Sequence, residues 1–202
     1  MIEWFKSHGV GWGTLQPVSE RYRIAIVGSG PAGLSAAAHA ARLGLSHVLL
    51  EKTDHLSDTI HKYQKGKHVM ATPSQLVLRA PLDFAAGKRE AVLGTWNEQA
   101  AAAGVNIRYN AEVKAIAGTG DPIPGSIMQL VSRKRDGSSE TRELQRRAPP
   151  YRLALADGGE IIADAVILAI GTQGNPNLMT CPGGNLPHVQ YQLDDPTEYT
   201  DA

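Results

Sequence analysis

The residues best suited to chemistry lie early in the chain. Gly28-Ser29-Gly30-Pro31-Ala32-Gly33 carries the spacing GxGxxG, and Glu51 follows at roughly the 20-residue interval expected of a dinucleotide-binding acid. Each position has a physical task. Gly28 permits a tight turn out of a strand, and Gly30 lacks a Cβ, so a pyrophosphate can come close to the backbone. Gly33 lets a helix pack tightly on a sheet, and Ala37 keeps that face small. The helix N-terminus offers free N–H groups and a positive dipole end to phosphates. A carboxylate at Glu51 can accept hydrogen bonds from both ribose hydroxyls of an adenosine and repels a 2′-phosphate, which disfavours NADP at this site. At this level FAD and NAD remain open alternatives. The competing explanation is a glycine turn with an incidental surface glutamate.

Elements of the right kind flank the motif. Arg23-Ile24-Ala25-Ile26-Val27 is a short apolar strand ended by Gly28. Alanine-rich Pro31–Leu43 predicts a helix, with Pro31 in its first turn and Gly44 at its stop. His47–Glu51 predicts a second buried strand, so the order is strand, helix, strand. Residues 52–87 suit long loops with short helical pieces. Val92, Trp96, Ala100 and Ala103 share one face of a helix predicted over Lys88–Ala103 and stopped by Gly104. Further strands are expected at Val105–Tyr109, Val113–Ile116, Ile127–Val131 and Tyr151–Leu155.

The segment Arg133–Pro150 mixes both charge signs and reads as a solvated excursion, with Arg133-Lys134-Arg135 at a hairpin tip. Asp157-Gly158-Gly159 is a tight turn into Ile161-Ile162. Ala165–Ile170 is the most apolar strand and ends at Gly171-Thr172. Residues 23–28, 47–51 and 166–170 are expected as neighbouring parallel strands, with the Pro31–Leu43 helix on one face. The fold class is α/β: a Rossmann-type FAD/NAD(P)-binding fold with a parallel sheet, helices and a small antiparallel β layer from residues 113–162. Three parts are expected: an irregular arm over 1–22, a nucleotide-binding domain over 23–173, and a linker over 174–202.

Composition narrows the functional classes. Twenty basic side chains balance twenty acidic ones, which argues against a nucleic-acid or membrane surface. Apolar residues make up 42% of 202, enough for a core. The single cysteine, Cys181, excludes an intrachain disulfide or CxxC pair and reads as a structural loop residue. No run reaches the roughly 18 apolar residues of a membrane span, and residues 1–23 do not form a signal peptide. A soluble, cytoplasmic protein is expected. His55, His61 and His68 share a loop with Lys62, Lys65 and Lys67, but their spacing does not suit a compact metal site, and no metal is expected.

In three places the sequence resembles the two-dinucleotide-binding-domain flavoproteins, the thioredoxin-reductase-like and pyridine nucleotide-disulfide oxidoreductase superfamily. They are Val27–Gly33 followed by Glu51-Lys52, then Ala165–Thr172, and then Gly174-Asn175-Pro176 through Cys181-Pro182-Gly183-Gly184 to Leu186-Pro187-His188. The resemblance implies FAD as the cofactor, with Gly28, Ser29, Gly30, Pro31, Ala32, Gly33, Glu51 and Lys52 around its ADP half. It further implies a backbone contact from Val113 to the adenine, and contacts near the flavin from Gly171 and Thr172. NAD(P)H is then the co-substrate of a longer parent, bound by a domain beyond the 174–202 connector, and a homodimer is compatible with this reading.

There are departures from the family. Where it usually carries a double glycine, this chain has Leu56-Ser57-Asp58-Thr59, and Thr59 is taken as the contact there. No second GxGxxG follows Gly171, and a segment returning over the isoalloxazine is missing. The expectation is therefore the FAD-binding portion of an NAD(P)H-dependent oxidoreductase, incomplete and inactive on its own, with an unidentified electron acceptor. No residue stands out as an acid, base or nucleophile, so the catalytic residues are unassigned. Two other readings stay open: the FAD domain of a flavin-dependent monooxygenase, and an NAD-binding regulatory module without redox chemistry.

Overall fold

A computed structural model describes residues 20–71, 80–133, 138–171, 178–187, 189 and 191. Residues 1–19, which hold most of the expected arm, Thr172, and most of the 174–202 segment lie outside the described residues.

The strand–helix–strand unit is built as its sequence dictates. Strand β1 (Glu20–Val27) runs into the glycine turn, helix α1 (Pro31–Arg42) returns, and strand β2 (His47–Leu50) lies parallel to β1. Gly44, at φ +65°, ends the helical path, and the Leu45 N–H closes on Ala40 O at 3.0 Å. A short helix α2 (Asp58–His61) follows, then one short antiparallel pair, strands β3 (His68–Val69) and β4 (Gly87–Lys88). Helix α3 (Arg89–Ala102) leads to β5 (Ile107–Arg108). Strands β6 (Val113–Gly118), β7 (Pro122–Arg133), β8 (Ser139–Arg147), β9 (Tyr151–Leu155) and β10 (Glu160–Leu168) complete the described chain.

One six-stranded sheet has the order β5-β2-β1-β10-β9-β6. Its first four strands are parallel, so residues 23–27, 47–50 and 165–168 are neighbours as expected. The antiparallel part continues the same sheet through β9 and β6, while β7 and β8 form a separate two-stranded arm.

Alternation along the strands divides the core. Ile26 and Leu49 join Leu34, Ala37 and Ala38 of α1 and Val92, Trp96 and Ala100 of α3. Ala25, Val48 and Leu50 turn the other way, toward Leu153, Leu155 and Ile161. Trp96 is 4% exposed, gives its indole N–H to Asp83 O at 3.1 Å, and meets Phe84 edge-on at 5.3 Å. On the β2 edge, the Asn106 N–H donates to His47 Nε2 at 3.1 Å. The proton that His47 gives to Leu45 O must therefore sit on Nδ1.

Several expectations are corrected. β1 starts at Glu20, because its parallel ladder with β10 runs back to the Glu20–Ile161 pair. Residues 161–162 and 165–168 belong to one continuous strand, held by β1 along its length. The expected strand over 105–109 shrinks to Ile107–Arg108, the only stretch of it in register with β2. Ser139–Arg147, read as solvated excursion, is a strand because β7 supplies a backbone partner in register; Lys134 and Arg135 lie outside the described residues.

The packing of α1 on the turn leaves no room for a side chain at Gly33. A Cβ there would stand 1.8 Å from Gly28 O and 3.3 Å from Ala169 Cβ. Gly33→Ala is expected to cost about 1–3 kcal/mol by forcing helix and turn apart. Thermal unfolding checks this, and a wild-type melting temperature would mean that the helix need not sit this close.

Candidate functional site

At the C-terminal ends of β1, β2 and β10 a cleft of about 720 Å³ opens. Its floor is the Gly28–Ala32 turn, and its walls come from Leu50–Lys52, Ser57–Ile60, Ala111–Val113 and Leu168–Gly171. Parallel strands create such a crevice because their connecting helices leave from one end of the sheet. The volume lies within the range of small-molecule and cofactor sites.

The structure brings together most of the residues expected from the sequence. Gly28, Ser29, Gly30, Pro31, Ala32, Glu51, Lys52, Thr59, Val113 and Gly171 all line the cleft. Gly33 does not; it lies behind the turn, against Gly28 O. Thr172 lies outside the described residues. The three glycines of the turn separate by cause. Gly28, at φ +99°, could not carry a Cβ, which would stand 2.5 Å from Ala169 O. Gly33 is fixed by packing, as shown above. Gly30 has ordinary extended backbone, φ −64° and ψ 179°, and an added Cβ would meet nothing within 4 Å. The protein itself makes no demand for glycine at residue 30. The demand fits a ligand approaching the backbone.

Pro31 opens α1, no side chain caps its N-terminus, and no acidic residue occupies its first turn. The first N–H groups of the helix thus face the cleft floor with the positive end of the dipole, a combination suited to an anion.

Glu51 is buried, at 5% exposure, which rules out an incidental surface glutamate. Its Oε2 accepts from Ser29 N at 3.0 Å and Ser29 Oγ at 2.5 Å; its Oε1 accepts from Thr53 N at 3.0 Å, while the Thr53 hydroxyl, 3.1 Å away, has a nearer acceptor for its one proton in His55 O at 2.9 Å. A carboxylate has about four acceptor positions, so the two backbone N–H groups clamp it, the Ser29 hydroxyl holds a third position, and the fourth, on Oε1, is open to a further donor whenever the Thr53 hydroxyl turns to His55 O. Tyr109 lies close enough that burial, with the Glu51 charge added, pushes its hydroxyl pKa up.

Sequence reasoning missed the importance of Ser57. It adopts the left-handed conformation, φ 56° and ψ 53°, and is 1% exposed. That backbone costs an L-residue about 1–2 kcal/mol. Two hydrogen bonds offset it: Ser57 N–H to Ser29 Oγ at 3.0 Å, and Ser57 Oγ–H to Ser29 O at 2.9 Å. The expected double glycine marks a position that needs positive φ; here serine meets that need by bonding back to the turn. The signal was present as the break in the glycine pattern at Leu56–Thr59.

Asp58 brings a negative charge to the cleft wall, but two lysines and a histidine ring surround it. Lys62 Nζ lies at 2.9 Å, Lys52 Nζ at 3.9 Å and His55 Nε2 at 3.2 Å. Burial alone pushes its carboxyl pKa up, but Lys62, His55 and Lys52 outweigh burial, and the net direction is downward. The His55 ring also bonds Asp54 at 2.7 Å and stacks on His61 at 3.7 Å. These histidines thus serve the loop that shapes the wall. Among the described residues no group of three His, Cys, Asp or Glu could hold a metal. Cys181 is exposed.

Two substitutions separate fold from binding. Glu51→Ala leaves the buried Ser29 N–H without its partner, so it is expected to destabilise the chain by about 1–3 kcal/mol even without ligand. Gly30→Ala is expected to melt like the wild type yet lose affinity for an adenine dinucleotide at least tenfold. Calorimetry with paired melting curves checks both, and tight binding by Gly30→Ala would show that no ligand approaches residue 30.

Comparison with known proteins agrees with this geometry. The sequence matches the pyridine nucleotide-disulphide oxidoreductase family over residues 22–197. No curated protein matches it. Among solved structures it is similar to the bacillithiol disulfide reductase of Staphylococcus aureus, at 17% identity and a TM-score of 0.59 over 83% of this chain and 44% of that one. The Bacillus cereus bacillithiol disulfide reductase gives 23% identity and a TM-score of 0.53 over 83% and 45%. A flavin-containing monooxygenase from Stenotrophomonas maltophilia gives 18% identity and a TM-score of 0.53 over 79% and 42%. The chain spans less than half the length of each of these structures, and at these identities they show a common fold alone. No described helix is long and apolar enough to cross a membrane. With a family match over most of its length and a glycine turn, open helix N-terminus and buried acid converging on one cleft, the chain belongs to the pyridine nucleotide-disulphide oxidoreductase family.

Proposed function

We propose that residues 23–173 are the FAD-binding domain of an NAD(P)H-dependent flavoprotein oxidoreductase, with 1–22 an arm and 174–202 a connector to a nicotinamide-binding domain. The observation that carries this reading is Gly30, a glycine on the cleft floor that neither its backbone nor its protein neighbours require. The residues present fit FAD. The α1 N-terminus and the Gly28–Ala32 turn would receive the pyrophosphate, with Lys52 supplying positive charge at the wall. Glu51 would take the adenosine ribose, its clamped carboxylate accepting one sugar hydroxyl in place of Ser29 Oγ and another on Oε1, where the Thr53 hydroxyl can turn to His55 O. Val113 would meet the adenine; Thr59, Gly171 and Thr172 would lie along the rest of the cofactor. When bound, FAD supplies the hydride-accepting and electron-donating chemistry, while the protein positions it and excludes competing reactions. Its electrons would pass to an acceptor that a bacillithiol disulfide reductase or a monooxygenase relative would each choose differently.

Binding of FAD rather than NAD is expected, and flavin absorbance retained through a desalting column, together with fluorescence titration, measures it. Saturable NAD binding with no FAD binding would replace this reading with that of an NAD-binding regulatory module. With FAD added in excess, NADH or NADPH and ferricyanide are expected to give no turnover above free flavin, because hydride transfer needs the nicotinamide held against the ring. Rapid oxidation of either nicotinamide would show that the 202 residues are a complete enzyme. Oxidation coupled to oxygen incorporation into an organic substrate would favour the monooxygenase.

A further inference from the structure

The arm formed by β7 and β8 is unlike the rest of the molecule. β6 and β9 pair directly with each other, and the arm prolongs their ladder through Thr119 N–H to Pro150 O at 2.9 Å and Ala148 N–H to Asp121 O at 2.8 Å. Beyond that stem, among the described elements, β7 and β8 pack extensively only on each other. A two-stranded hairpin is marginal in water unless a third strand or a packed face supports it.

The two edges of the arm differ in chemistry. β8 carries Glu140, Arg142, Glu143, Arg146 and Arg147 among its nine residues, and charges of this kind blunt an edge against further pairing. β7 carries no charged residue from Pro122 to Ser132, and Ile127 and Val131 are 62% and 56% exposed. Its prolines sit at 122 and 124, near the stem, leaving the regular stretch from Ile127 onward unguarded. That stretch is also self-complementary. Ile127-Met128-Gln129-Leu130-Val131 reads the same in residue character from either end: β-branched, long apolar, amide, long apolar, β-branched.

We propose that β7 is a homodimerisation strand, pairing antiparallel with β7 of a second copy about a twofold axis at Gln129. In that register Ile127 stands opposite Val131 of the second copy, Met128 opposite its Leu130, and Gln129 opposite itself. The product is a four-stranded sheet ordered β8-β7-β7-β8. The contact is isologous, and both outer edges are charged β8 strands, so assembly closes at two copies. The amide of Gln129 meets Glu143 of its own hairpin at 3.5 Å, a weak bond that leaves it free to pair across the axis. This interface does not depend on the ligand of the cleft.

The test uses the 202-residue chain. Light scattering on a sizing column over a concentration series is expected to give twice the 21.6 kDa chain mass. Gln129→Lys, which sets two ammonium groups face to face, is expected to return the chain to monomer with an unchanged circular dichroism spectrum. In a Cys181→Ser background, Gln129→Cys is expected to form a disulfide-linked dimer under mild oxidation, since directly opposed residues lie within disulfide reach. Thr141→Cys, on the outer strand, is expected not to. A chain that is monomeric at every concentration overturns the proposal. So does a dimer that survives Gln129→Lys, or a Gln129→Cys variant that cross-links no faster than Thr141→Cys. If Gln129→Lys unfolds, the cross-linking comparison alone decides. A wild-type monomer whose arm is captured by an added strand peptide of unrelated sequence would make β7 a docking edge for a different partner, and the proposal would fall.

Discussion

Everything at the cleft follows from how closely helix α1 approaches the end of strand β1. The approach is possible because Gly33 has no side chain to meet Gly28 O, and because Gly28 takes a positive φ beside the Ala169 carbonyl. That contact aims the helix N-terminus at the strand ends. It also opens the crevice where β1 stands between β2 and β10, and brings the Ser29 backbone within reach of Glu51. A helix only slightly farther away would lose the anion-binding geometry, since the dipole effect falls off within the first turn.

The acid depends on the turn as much as the turn depends on the acid. A buried carboxylate is costly unless its acceptor positions are filled, and here Ser29 fills two through its N–H and hydroxyl and Thr53 a third through its N–H. The backbone donors hold the carboxylate in place while the Ser29 hydroxyl can rotate away, so the acid is held without a ligand and can exchange a bond for one. Ser57 extends the same network. Its N–H donates to the Ser29 hydroxyl that donates to Glu51, and hydrogen bonds in such a chain polarise one another. The loop over residues 53–62 is thereby tied to the glycine turn through side chains, where a glycine pair would have relied on backbone freedom alone.

Charge at the cleft wall is arranged with similar economy. Asp58 does not stand alone on that wall: Lys62 and Lys52, at 2.9 and 3.9 Å, offset its charge, and His55 Nε2 bonds its carboxyl at 3.2 Å. Those pairs are partly exposed, so their worth lies in setting the local field more than in stability.

The sequence alone determined the strand–helix–strand unit, the glycine turn and the acid, because each rests on local chemistry. Backbone conformation at Gly28, helix propensity over Pro31–Arg42 and the apolar run of β2 act over a few residues and leave a pattern in composition. It also marked helix α3 through Trp96 and its neighbours, whose spacing follows the core they face. Other features depended on partners remote in the chain. β1 reaches back to Glu20 because β10, some 140 residues later, supplies its ladder. Ser139–Arg147 has the composition of a loop and becomes a strand through β7. Ser57 looks like an ordinary loop residue until the turn at Ser29, 28 positions earlier, provides both of its hydrogen bonds. Backbone pairing and buried side-chain bonds do not require a sequence signature at both ends, so only the tertiary structure could place them.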